Sequence, residues 1–167
     1  SKTAPCAPAI HDMTCDLAIV GGGFTGLWSA LKASEHHPDA TIVVLEGKRC
    51  GQDASGRSGG FCAPSISHGV SNALTRHSSE AETLIRLGQE NFDGYAKDID
   101  RYEMQAEFAQ DGKLNVAATP WQIDDLHSMA RNYARFGIPY ELLVGDALKE
   151  KLDSPIYGVG LFESSYG

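Results

Sequence analysis

The sequence lacks any long apolar run, and it carries no surplus of basic charge. A helix that spans a membrane needs about 20 consecutive, predominantly apolar residues. Among the 167 residues, 22 are acidic and 14 are basic, which gives a formal net charge of −8. We therefore expect no membrane span, and no surface that binds nucleic acid or an anionic membrane.

Cysteine is also scarce, with four residues in the chain and no Cys-x-x-Cys pair. The positions Cys6, Cys15, Cys50 and Cys62 do not have the spacing of a zinc site. No basic segment followed by an apolar stretch opens the chain, so no secretory signal is expected. These features predict free thiols, no metal and a cytoplasmic location, with a Cys6–Cys15 disulfide as the alternative.

A glycine-rich turn between two apolar runs is the most informative stretch of the sequence. Gly21, Gly23 and Gly26 have G-x-G-x-x-G spacing directly after the first apolar run. Glu46 follows Gly26 by 20 residues and ends the second apolar run, 41–45. Strand, glycine turn, helix, strand and acidic residue together form the fingerprint of a dinucleotide-binding unit. Three glycines in an ordinary turn are the alternative interpretation.

Each residue of this fingerprint has a physical role. Gly21 allows the chain to turn sharply, Gly23 allows a pyrophosphate to approach the backbone, and Gly26 allows the helix to pack closely on the sheet. The helix N-terminus offers unpaired N–H groups to the phosphates. Glu46 can accept hydrogen bonds from the adenosine ribose and repels a 2′-phosphate, so NADP is expected to fit poorly.

The segment after Glu46, residues 47–61, is rich in glycine, serine and charge, which does not favour a simple crossover helix. Its stretch Ala54-Ser55-Gly56-Arg57-Ser58-Gly59-Gly60 resembles the A-S-G-R-x-G-G segment of the D-amino-acid oxidase-like flavoprotein family. The likeness is greatest to the branch that includes glycine oxidase and enzymes acting on glutamylputrescine-type amines. The specific motifs lie between Cys15 and Gly69, and a looser likeness continues to the last residue.

The resemblance implies FAD as the cofactor and an amine or amino acid as the substrate. It implies that 54–57 contact the phosphates or ribitol and that 58–60 approach the isoalloxazine, although Arg57 could instead be a solvated loop residue. Cys62 or His68 could attach the flavin covalently, or both could be unmodified. The residues expected to bind the cofactor are Gly21, Gly23, Phe24, Thr25, Gly26, Glu46, Gly47, Lys48, Arg49, Ala54, Ser55, Gly56, Arg57, Ser58, Gly59 and Gly60.

The predicted fold is α/β, with a Rossmann-like βαβ start followed by an α+β region with antiparallel strands. Strands are predicted at 16–20 and 41–45, the first of them buried on both faces. A helix is predicted at 24–35 between them, with Leu27 on the face that packs on the sheet. We divide the chain into an N-terminal arm at 1–14, an FAD-binding part at 15–78 and a partial substrate domain at 79–167.

Helical periodicity and turn residues predict the elements of the second half. A long helix at 79–99 is expected to begin with a Ser79–Glu82 capping box. Asp111-Gly112 predicts a hairpin between 107–110 and 113–117. The remaining predictions are a helix from Pro120, capped by Thr119 and ended by Gly137, strands at 140–143 and 157–162, and a helix at 146–152.

Three functions remain open on these grounds. The first is an FAD-dependent oxidoreductase that oxidises a C–N bond by hydride transfer to flavin N5, with no catalytic residue assignable. The second is an NAD-dependent dehydrogenase, whose βαβ fingerprint would be the same. The third is a nucleotide-binding subunit that is inactive alone. Because the resembled family predicts a chain about twice as long, we expect an N-terminal fragment whose partner is the rest of the enzyme.

Overall fold

The computed structural model describes residue 6 and residues 8–167 of the chain. The chain divides into two compact units, Ser1–Gly60 and Phe61–Gly167. Part of the predicted N-terminal arm lies outside the described residues, and the domain limits inferred from the sequence stay predictions.

The first unit is a parallel βαβ arrangement, as predicted. Strand β1 (Leu17–Val20) leads through helix α1 (Phe24–His36) to strand β2 (Ile42–Leu45). The two strands pair in parallel, with Leu17 opposite Ile42. The first strand is almost wholly apolar, which is typical of a parallel strand connected by a crossover helix.

The prediction that β1 is buried on both faces is wrong. The side chain of Val20 is 87% exposed, and no residue of α1 is buried. Leu27 of α1, predicted to pack on the sheet, is also exposed. A sheet of two strands and a single helix cannot enclose both sheet faces, so apolar side chains remain uncovered within the described part of this unit.

The second unit combines four helices with a three-stranded antiparallel sheet. Its elements are α2 (Val70–Arg76), α3 (Ala81–Arg101), β3 (Lys113–Val116), α4 (Pro120–Phe136), β4 (Glu141–Val144), α5 (Asp146–Lys151) and β5 (Val159–Glu163). The strand order in the sheet is β3-β5-β4. The α/β fold class with antiparallel strands in the second half is thus confirmed.

Helix α4 forms as its sequence predicts. The side chain of Thr119 caps it in a capping box with Gln122, Pro120 is its first residue, and Gly137 ends it with a left-handed φ of 66°. Its apolar face is buried in the main core of this unit. The buried residues of that core are Ala117, Leu126, Ala130, Tyr133 and Leu161.

The predicted hairpin around Asp111-Gly112 is wrong. Strand β3 pairs with β5 instead, and 107–110 is not a strand. Gly112 has a φ of 82°, and a Cβ there would lie 2.6 Å from the carbonyl oxygen of Glu163. The glycine therefore permits close approach of a distant strand, and pairing with β5 buries Leu161 completely, which a local hairpin could not do.

One further expectation about a helix is wrong, and one helix was not foreseen. Helix α3 begins at Ala81 with Glu80 at its N-cap and no side-chain cap, so the Ser79–Glu82 capping box does not form. Helix α2 lies in a segment where no helix was predicted, since its seven residues are too short to show a clear period.

Candidate dinucleotide-binding site

The glycine turn after β1 has the backbone geometry that its spacing predicts. Gly21 has a φ of 103°, and its N–H donates to the carbonyl of Leu45 at 2.8 Å. A Cβ on Gly26 would overlap the carbonyl oxygen of Gly21 and lie 3.3 Å from Cγ2 of Ile19. A side chain at residue 26 would therefore push α1 away from the turn and from β1.

The segment after β2 returns to the N-terminus of α1. Ala54–Arg57 forms a 3-10 helix, and the hydroxyl of Ser55 accepts a hydrogen bond from the N–H of Phe24 at 3.0 Å. A Cβ on Gly23 would lie only 2.9 Å from that hydroxyl. The structure thus brings Ser55 to the place where a helix N-terminus offers N–H groups to an anion.

Glu46 lies at the end of β2 and contacts the same turn. Its carboxylate accepts hydrogen bonds from the N–H of Gly22 at 2.8 Å and from the N–H of Lys48 at 2.9 Å. These bonds, that of Gly22 foremost, lower the pKa of Glu46. The group is therefore ionised at neutral pH. A carboxylate has about four acceptor positions, so positions remain for the hydroxyls of a ribose.

Gly22 was not among the predicted site residues, yet it joins the parts of the turn. Besides its bond to Glu46, its carbonyl accepts a hydrogen bond from the N–H of Gly51 at 2.8 Å. A Cβ there would lie 2.6 Å from the sulfur of Cys50. The signal was present in the sequence as three consecutive glycines, of which the fingerprint explains only the outer two.

The remaining predicted residues are exposed around this turn. Lys48 and Asp53 form an exposed ion pair at 3.3 Å. The N–H of Gly60 donates to the hydroxyl of Ser58 at 3.4 Å. The exposed members of the predicted set are Phe24, Thr25, Gly47, Lys48, Arg49, Ala54, Gly56, Arg57, Ser58, Gly59 and Gly60. Their role in binding stays a prediction.

The four cysteines are free thiols. Burial raises the pKa of the Cys62 thiol, which favours the neutral thiol over the nucleophilic thiolate. Its backbone exchanges two hydrogen bonds with Gly167. His68 has a positive φ of 59° in the loop before α2. Covalent attachment of a flavin through either residue has no support from these surroundings.

The described residues contain neither a candidate metal site nor a helix that could span a membrane. In residues 6 and 8–167, no cluster of three or more His, Cys, Asp or Glu side chains could hold a metal ion. Within the same part of the chain, no helix combines the length and apolar character needed to cross a membrane.

The parallel βαβ unit, the close-packed glycine turn and the ionised Glu46 define a dinucleotide-binding fold. The residues present fit the ADP end of FAD, because nothing lies within 4 Å of a Cβ position on Gly21 and the Glu46 carboxylate lies beside the same turn. The family model described as FAD dependent oxidoreductase (DAO) matches residues 16–167. The chain belongs to this family of FAD dependent oxidoreductases.

Two curated relatives share about a third of their residues with this chain. It is 34% identical to gamma-glutamylputrescine oxidoreductase of Escherichia coli (strain K12), a match covering 100% of this chain and 39% of the relative. It is 32% identical to the probable oxidoreductase OrdL of Haemophilus influenzae, a match covering 91% of this chain and 35% of the relative. The chain thus spans less than half the length of these relatives.

Solved structures share the fold. Glycine oxidase from Geobacillus kaustophilus matches with a TM-score of 0.65 and 19% identity, over 92% of this chain and 40% of that one. L-amino acid deaminase from Proteus vulgaris matches with a TM-score of 0.71 and 14% identity, over 98% of this chain and 36% of that one. At these identities the likeness establishes the fold alone.

Proposed function

We propose that this chain carries the ADP-binding part of the FAD site in an enzyme that oxidises the C–N bond of an amine or amino acid. The family match supports FAD as the cofactor. The name of the relative from Escherichia coli supports an amine as the substrate class. The proposed location is the cytoplasm, on the strength of the scattered free thiols.

The observation that carries the proposal is the contact between Glu46 and the glycine turn. The carboxylate at the end of β2 and the turn at the end of β1 are joined through Gly22 at 2.8 Å. Ser55 reaches the same helix N-terminus from the segment that follows. The proposed pyrophosphate site at the N-terminus of α1 and the proposed ribose acceptor, Glu46, therefore lie beside the same turn.

The chemistry is divided between cofactor and protein. FAD, when held here, would supply a hydride acceptor at N5 for oxidation of the carbon that bears a neutral amine; the imine product would be hydrolysed by water, and O₂ or another acceptor would take up the two electrons. The proposed roles of this chain are to hold the pyrophosphate at the N-terminus of α1 and the ribose at Glu46. No residue of this chain is assigned to proton transfer or to substrate recognition.

The uncovered apolar surface of β1 and β2 supports a further part of the proposal. Val20 is 87% and Leu45 42% exposed, although both belong to a sheet of parallel strands. We propose that further parts of the same enzyme cover that surface. A nucleotide-binding unit without its own turnover is the second candidate, because no residue of this chain is assigned to catalysis.

Nucleotide titration of the purified 167-residue chain tests the proposal. We expect the chain to bind FAD, seen as a change in flavin fluorescence and visible absorbance, and to bind NAD more weakly. Glu46→Gln should weaken FAD binding at least about tenfold, because a hydrogen bond to a charged group is lost. Amine-dependent bleaching of the bound flavin then separates an active enzyme from an inactive binding subunit.

Asp39→Asn is the matched control. Asp39 is an exposed carboxylate of the same unit, before β2, whereas Glu46 follows β2. The two substitutions remove the same charge. A lower affinity for FAD in the Glu46 variant alone would therefore result from the position of Glu46 at the turn and not from the loss of a charge. Equal affinity of the Glu46 and Asp39 variants for FAD, with native circular dichroism, would contradict the proposal. Tighter binding of NAD than of FAD would point to the dehydrogenase alternative.

A further inference from the structure

The segment between α3 and β3 is exposed and has no regular secondary structure. Residues 103–111, called the strap below, contain no helix or strand, and each of them except Met104 and Phe108 is exposed. The N–H of Met104 donates to the carbonyl of Ile99 at 2.9 Å, which fixes the start of the strap to the end of α3. From residue 107 to residue 111, no backbone hydrogen bond is seen within the described part of the chain. Few contacts therefore hold the strap in place.

The ring of Phe108 packs against the rest of its unit. It is half-buried, and its centroid lies 6.0 Å from that of Phe92 and 5.6 Å from that of Tyr95, which it meets edge-on. Both partner rings belong to α3, and Phe92 is buried. The Phe108 ring also lies against Gly167, where an added side chain would overlap it. Because aromatic pairs with this geometry are favourable, Phe108 holds the strap on α3.

Two glutamates of the strap have a left-handed backbone conformation. The φ angle is 48° at Glu103 and 50° at Glu107, a region that is unfavourable for residues with a Cβ. Among the described residues, His68 is the only other non-glycine residue with a positive φ. Such conformations persist where surrounding contacts impose them, and they are concentrated in clamps and switch regions. The strain at Glu107 therefore opposes the packing of its neighbour, Phe108.

We propose that the strap opens and closes as a unit over α3, with Phe108 as its latch and with backbone strain at Glu107 favouring the open form. Opening exposes more of the rings of Phe92 and Tyr95, which Phe108 contacts in the closed form. It also presents the peptide bond after Glu107 to a protease, because segments with few buried contacts open first. The strap shares no residue with the glycine turn, so this device goes beyond the proposed function.

Limited proteolysis of the 167-residue chain with a glutamate-specific endopeptidase tests the opening of the strap. We expect the first cut within residues 61–167 to fall after Glu103 or Glu107. Glu90 is an internal control, because it is an exposed glutamate within the regular helix α3 and should be cut later. A first cut elsewhere in residues 61–167, with the strap still intact, would overturn the proposal.

Hydrogen–deuterium exchange of three variants tests the latch and the strain separately. Phe108→Ala removes both ring contacts, and we expect it to lower the protection of 103–111 at least about tenfold. Glu107→Gly should raise protection about threefold, because glycine adopts a φ of 50° without a steric penalty. Gln105→Gly is the matched control at an exposed residue of the strap without a positive φ, and its added backbone freedom should lower protection.

The opposite signs expected for the two glycine variants keep the test independent of how well Phe108→Ala folds. Lower protection in both Glu107→Gly and Gln105→Gly would overturn the role of backbone strain. Unchanged protection in a Phe108→Ala variant with native circular dichroism would overturn the role of the latch. Protection of the unmodified strap equal to that of the centre of α3 would show that the strap does not open as a separate unit.

Discussion

Removing the hydroxyl of Tyr133 should destabilise the second unit by about 1.5–3 kcal/mol, the range for a hydrogen bond to a charged group. That hydroxyl donates to Glu163 at 2.6 Å, and both side chains are more than nine-tenths buried. Tyr133→Phe keeps the ring, which packs edge-on against Tyr140 with centroids 6.1 Å apart. The decrease in the free energy of unfolding therefore measures the lost hydrogen bond, because the substitution leaves no large cavity in the core.

Tyr140→Phe is the matched control, because it removes the same atom from the neighbouring ring. Tyr140 is half-buried, and no side-chain hydrogen bond is seen for it in the described part of the chain. We expect it to change the free energy of unfolding by less than about 0.5 kcal/mol, the usual effect of a substitution that breaks no buried contact. The assay is urea unfolding followed by far-UV circular dichroism and tryptophan fluorescence. Equal unfolding free energies for the two variants would refute the reasoning about Tyr133.

Two other predictions concern a titration and a backbone contact. Burial raises the folded-state pKa of Glu163 above its ordinary value of 4.5, so the folded state binds the proton more tightly. The stability from this group is present below that value and is lost as pH rises through the raised pKa. Glu163→Gln should remove this part of the pH dependence, and identical pH profiles of unfolding would contradict the assignment. Gly26→Ala should weaken FAD binding and lower stability by about 1–3 kcal/mol, because its methyl group would overlap the turn. Gly47→Ala, which has no atom within 4 Å of the added methyl, should lower stability far less, and equal losses of stability would count against the close approach.

The features that could be predicted from the sequence are local ones. The glycine turn, α1 and Glu46 lie within one continuous stretch, so their spacing in the sequence determines that they lie close together in the fold. Helix α4 likewise has its start and stop signals next to its apolar face. In these segments local propensity and tertiary packing favour the same structure.

The features that sequence reasoning missed depend on distant parts of the chain. Asp111-Gly112 favours a local hairpin, yet β5 begins more than forty residues later and pairs with β3. Burial of the apolar Leu161 side chain favours the pairing of β3 with β5 over a local hairpin. The buried pair of Tyr133 and Glu163 was missed for the same reason, because an acidic residue is usually exposed and only the sheet register buries this one.

Exposure of the first strand has a different cause. An apolar strand with a crossover helix predicts burial on both faces, but burial also requires neighbouring strands and a second helical layer. The described part of this unit provides two strands and α1. The apolar sequence of β1 therefore indicates a strand suited to a sheet that is covered on both faces. The strand is exposed because the described part of its unit supplies one neighbouring strand and one helix.

Hydrogen–deuterium exchange of the chain with and without FAD tests the central claim most directly. The claim is that the glycine turn, Glu46 and the segment after it hold the adenosine and pyrophosphate end of the cofactor. It predicts slower exchange on adding FAD in peptides that cover 21–26 and 46–60, with unchanged exchange in β4 and α5. Unchanged exchange at 21–26 in the presence of saturating FAD, or protection confined to 61–167, would contradict it.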